Sequence, residues 1–158
     1  MAATTTDGRQ AIRSFVEHEH TDLAGGIDRI HETACVFTSL STGEQSTRIL
    51  AVLHWVEGTL KPHMAWEETW LYPQIDDRAR TPWATRSIRY DHRQIARRAE
   101  RLSADRLALA RGRTQSASLE TTADLFSLEA LLRAHVEREE DLLLPLLERR
   151  PGAPDPTA

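Results

Sequence analysis

Residues 63–73 read HMAWEETWLYP, and residues 135–145 read HVEREEDLLLP. In both stretches a histidine is followed four residues on by a glutamate, then by a second glutamate, and ends at a proline. Working outward from the first, Leu53, Val56, Leu60, His63, Glu67 and Leu71 recur at steps of three and four. Around the second, Leu125, Leu128, Leu132, His135, Glu139 and Leu142/Leu143 do the same. That spacing is one face of an α-helix. The histidine and the first glutamate therefore continue the apolar stripe, on the face that should pack inward.

Two more periodic segments complete the chain. Residues 10–40 carry Val16, Leu23, Ile27, Ile30, Ala34 and Phe37 at helical steps and predict a first helix. The polar stretch STGEQS (41–46) reads as a turn before a second helix that starts near Ile49 and runs toward Pro73, with Pro62 bending it just before His63. QIDDRARTPW (74–83) reads as a loop into a third helix, with Thr81 as N-cap, Pro82 at the first helical position and an end near Ala110. Gly112 and RTQSAS (113–118) separate it from a fourth helix, from Ser118 to about Arg149. Four long helices on short connections predict an all-α, up-down-up-down four-helix bundle over residues 10–149, with 1–9 and 150–158 as flexible tails.

The two halves of this bundle repeat each other. His20 precedes His63 by 43 residues, and His92 precedes His135 by 43. At an offset of 72, Leu23 matches Ile95, Leu60 matches Leu132, Glu67 and Glu68 match Glu139 and Glu140, Pro73 matches Pro145, and Glu19 matches Asp91. The pattern reads as a duplicated helical hairpin. Each copy gives one histidine from its first helix and a His-x3-Glu pair from its second, and His20 and His92 lie on the stripes Val16–Leu23–Ile27 and Ile88–Ile95–Ala99. Four imidazoles and two carboxylates thus converge on one interior. Buried carboxylates near each other are costly unless they share a proton or bind a cation. A metal pair resolves the cost, with two terminal histidines on each ion and Glu67 and Glu139 bridging. Imidazole with carboxylate suits iron, and also manganese or zinc.

On His20, HMAWE (63–67), His92 and HVERE (135–139), with the LYP and LLP endings, the chain resembles the hemerythrin-like, HHE cation-binding proteins from about Phe15 to Leu147. The resemblance implies a non-haem centre of two iron ions, oxo- or hydroxo-bridged, in a four-helix bundle, with peroxide, O2 or NO as the small-molecule ligand. Oxygen carriers of this type place a further histidine four residues after the third-helix ligand, where this chain has Ala96. They also use an acid five residues after the fourth-helix histidine, which is Glu140 here and competes with Glu139. The four-His, two-Glu pattern looks more like the bacterial proteins linked to peroxide decomposition and oxidative stress. A catalase-like activity is the expected function, and reversible O2 or NO binding or iron/redox sensing is the alternative.

Composition narrows the remaining classes. The chain has 158 residues, 40% apolar and 28% charged, with net charge -4. That is enough for one core and not basic enough for nucleic acid to be the default partner. The longest apolar run, 142–147, contains Pro145 and is far short of the roughly 20 residues of a membrane span. With one cysteine and no N-terminal signal pattern, a cytoplasmic monomer or homodimer is expected. Cys35 reads as a buried small residue, Trp66, Trp70 and Tyr72 as packing and helix-end anchors, and His18, His31 and His54 as lying outside the ligand set.

Overall fold

The computed structural model describes residues 6–111 and 115–148, and within them every regular element is helical. The first helix is Thr6–Val36, closed by a 3-10 turn at Phe37–Ser39. The second helical run spans 42–79, the third helix is Arg86–Ala110, and the fourth run spans 115–148. Of the expected tails, 1–5 and 149–158 lie outside the described residues, as do Gly112 and the start of the 113–118 connection.

The first helix begins at Thr6, inside the expected 1–9 tail, and the fourth run at Gln115 rather than Ser118; three further boundaries differ from the sequence reading, each for a local reason. Ser41 is not part of a turn leading toward Ile49 but the N-cap of the second run, which begins at Thr42. The Ser41 N–H donates to Glu44 Oε2 at 2.8 Å, and the Ser41 side chain accepts from the Glu44 N–H, so both ends of a capping box are made. The run does not stop at Pro73 but continues to Ala79. It ends on Arg80 in the left-handed region (φ 54), with the Thr81 N–H donating to Asp76 O and the Arg80 N–H to Asp77 O. Thr81 and Pro82 accordingly stay in the connection. The third helix starts at Arg86, after Thr85, whose N–H and hydroxyl both bond Asp76.

The prolines act inside the helices. At Val56–Leu60, Glu67–Leu71 and Glu139–Leu143 the backbone opens into a π turn, closed by N–H to O bonds from Lys61 to Val56, Tyr72 to Glu67 and Leu144 to Glu139. Each donor is the residue just before a proline: Pro62, Pro73 and Pro145. A proline has no N–H to give, and its ring presses on the carbonyl four residues back. Widening the preceding turn by one residue relieves that contact while the helix continues. Two of the three π turns begin at Glu67 and Glu139.

Packing divides the interior into two apolar layers. One is built from Leu23, Ile27, Ile30, Val56, Leu60, Ile95, Leu102, Leu128 and Leu132. The other holds Val16, Leu71, Tyr72, Ile75, Ile88, Leu143, Leu144 and Leu147. Along every helix the histidines and glutamates of the repeat fall between these two groups. Gly26 brings the first helix close to the second run: a Cβ there would lie 2.0 Å from Trp55 Cε2.

Candidate metal centre

All six residues singled out by the repeat meet in the polar layer between the apolar clusters. His20, His63, Glu67, His92, His135 and Glu139 are buried, with Glu67 at 0% and Glu139 at 1% exposure. Their donor atoms form two groups: His20, His63, Glu67 and Glu139 in one, and His92, His135, Glu67 and Glu139 in the other. Within each group the atoms lie within 4.8 Å of one another. The two carboxylates are common to both groups, and each histidine pair comes from one half of the duplication. Ring centroids are 5.4 Å apart for His20 and His63 and 4.8 Å for His92 and His135.

The polar atoms at the centre are poorly served by the protein alone. His20 Nε2, both nitrogens of His63 and of His135, Glu67 Oε1 and Glu139 Oε2 are buried without a hydrogen bond. Such atoms cost free energy unless something pairs with them. What surrounds them is one another: Glu67 Oε1 is 2.7 Å from His63 Nε2, and Glu139 Oε2 is 3.2 Å from His20 Nε2 and 3.8 Å from His135 Nε2. A donor set of four imidazole and two carboxylate groups with inward lone pairs fits a pair of metal cations.

Charge is unevenly held among these groups. Burial opposes the charge on His20, but Glu139, Glu67 and Glu140 outweigh it and raise the imidazolium to about 10. Burial lowers His135 to about 3, and the other three imidazoles push the same way. Glu67 also suffers burial, yet His20, His63 and His92 hold it well below the usual carboxylate range. Burial and the neighbouring Glu67 raise Glu139 to about 7, against the pull of His20 and Tyr72.

The outer carboxylates cross between the halves. His20 Nδ1 is 2.9 Å from Glu140 Oε1, and His92 Nδ1 is 2.8 Å from Glu68 Oε1. These contacts are related by the 72-residue offset. An acceptor at Nδ1 keeps a proton on that nitrogen and turns the Nε2 lone pair toward the centre. Glu139 sits in the interior, whereas Glu140, with 40% of its side chain exposed, faces the back of His20.

Tyr72 packs in the buried apolar layer as expected, and its hydroxyl adds a contact to the six residues. It is fully buried, and its hydroxyl donates to Glu139 Oε1 while lying 3.1 Å from His92 Nε2 and 3.4 Å from Glu67 Oε2. Burial and the two carboxylates raise its phenol far above the usual value. The available signal was a break in the repeat, since position 144 is Leu where the first half has Tyr. Cys35 departs from expectation, being exposed, with Sγ 3.5 Å from His31 Nε2. His18, His31 and His54 take no part in either group.

A family model described as the hemerythrin HHE cation binding domain matches residues 11–147. The chain belongs to that family. The match spans all six of these residues and both π turns that begin at Glu67 and Glu139. Comparison with curated proteins and with solved structures found no match. Among the described residues of this hemerythrin HHE chain, no helix is long and apolar enough to cross a membrane.

Proposed function

We propose that this hemerythrin HHE chain holds two iron ions, one on His20 and His63 and the other on His92 and His135, with Glu67 and Glu139 shared, and that it decomposes peroxide. The observation that carries this reading is the pair of donor groups that share two carboxylates. The centre, when loaded, supplies Lewis acidity and redox capacity to a small oxidant. Glu140 and Glu68 orient the imidazoles of His20 and His92. Tyr72 keeps its proton across the physiological range and points a hydrogen-bond donor at the shared edge of the two groups. Apolar layers lie on either side of the six residues. Ala96, one turn beyond His92, has no donor atom, which favours reaction with an oxidant over dedicated oxygen carriage. The hairpin repeat and its short connections support an up-down-up-down order of the helices, and the single cysteine supports a cytoplasmic setting.

Oxygen release from hydrogen peroxide tests the proposal. Iron-loaded protein evolves O2 in step with peroxide loss, and metal-free protein and His63→Ala do not. A stable O2 or NO adduct without peroxide turnover would replace the enzyme by a binding or sensing module. Protein that takes up zinc but no ferrous iron would leave a structural bundle.

A further inference from the structure

A cavity of about 380 Å³ lies between the first helix and the second run, lined among others by Glu19, Asp22, Gly58, Thr59, His63 and Trp66. Its floor is His63, a 94% buried ring that has no hydrogen bond at either nitrogen. Nε2 looks inward to Glu67 at 2.7 Å, and Nδ1 looks outward to Glu19 Oε2 at 3.8 Å. The acids at the outer end are accessible, with 39% of the Glu19 side chain and 66% of the Asp22 side chain exposed. The backbone wall is the π turn Val56–Leu60, where a Cβ at Gly58 would meet nothing within 4 Å.

The corresponding place in the second half of the duplication is built from different residues. The 72-residue offset turns Pro62 into Ala134, and residues 128–132 form an ordinary α-helical turn. Gly58 and Thr59 become Ala130 and Leu131, Asp22 becomes Gln94, and Trp66 becomes Arg138. Asp91, the counterpart of Glu19, is bound by Arg138 Nη2 at 2.7 Å. One side therefore presents two acids and an imidazole nitrogen without a hydrogen bond, His63 Nδ1, and the other presents a guanidinium already paired with its acid. The asymmetry has a sign, and it favours cations on the first side.

We infer that the Glu19–Asp22–His63 cavity is a transient binding site for a divalent cation on its way to the centre. The inference rests on the proposed two-metal centre. Negative charge at a cleft mouth raises cation capture by about 10- to 1,000-fold, and salt screens the effect. The His63 ring then has one nitrogen on each side of the boundary between cavity and centre.

Stopped-flow uptake of Co2+ by full-length, metal-stripped protein tests this, with helical content checked by circular dichroism. The double variant Glu19→Gln/Asp22→Asn is expected to take up Co2+ about tenfold more slowly at low salt. At high salt the difference shrinks, and the final Co2+ content is unchanged at both. Gly58→Phe, which adds a ring at the cavity wall, slows uptake at either salt concentration with the same final content. Native rates in both variants would overturn the cavity as the loading route, as would a loss of final Co2+ content in the double variant, which would make the acids permanent ligands. A native chain that binds no Co2+ at all overturns the two-metal centre and this inference together, so the two failures are told apart by the native end point.

Discussion

Glu68 and Glu140 stand behind His92 and His20 in matching contacts, so their loss is expected to have matching effects. Glu68→Gln and Glu140→Gln each lower metal affinity about 10- to 100-fold, measured by competition with a chromophoric chelator. Unequal effects, with one variant at the native affinity, would contradict the crossed arrangement. Tyr72→Phe removes a buried donor from Glu139 and leaves that carboxyl less well satisfied. Metal-free Tyr72→Phe is expected to lose about 1–3 kcal/mol in urea unfolding. Protons compete for the same atoms as the metals. His20 holds its proton up to about pH 10 and Glu139 up to about pH 7, so loading at pH 8 must displace the His20 proton, and loading at pH 6 must displace that of Glu139 as well. Metal binding therefore weakens as pH falls, and calorimetry in buffers of different ionisation enthalpy should register more protons released at pH 6 than at pH 8. Buffer-independent heats would refute this.

Helix periodicity located His63, Glu67, His135 and Glu139 because the three- and four-residue steps of Leu53–Leu71 and Leu125–Leu143 survive the π turns, and it located His20 and His92 on unbroken helices. What the periodicity hid was the backbone between those steps. Pro73 read as a stop because a proline lacks the next donor, yet a wider preceding turn lets the helix continue to Ala79. Ser41 and Glu44 formed a legible capping box, overshadowed by the polar run in which they sit. Tyr72 was hidden for another reason: an aromatic beside a proline at a helix bend has an ordinary packing explanation, and only the contact of its hydroxyl with Glu139 distinguishes it. Gly26 shows how closely two elements approach. Gly26→Ala puts a methyl group into the Trp55 indole and should cost about 1–3 kcal/mol of unfolding free energy, with a change in tryptophan fluorescence. Native stability in that variant would mean that Trp55 moves aside freely.

At the scale of the whole molecule, two apolar clusters close over a polar layer that the protein cannot satisfy by itself. Ligands that bind the folded state alone stabilise it by mass action. Metal loading should accordingly raise the unfolding temperature, and a chelator should lower it, with the helices retained. The same layer also explains the duplication, since each half provides one histidine pair and one shared carboxylate, and neither half alone completes a group. The most direct measurement is the metal content of the purified chain beside that of Glu139→Ala, by elemental analysis after anaerobic loading with ferrous iron. Two irons per native chain, and loss of both in Glu139→Ala, is the result expected of a carboxylate shared by two sites. Stoichiometric iron retained in Glu139→Ala, or a native chain that takes up none, would contradict it.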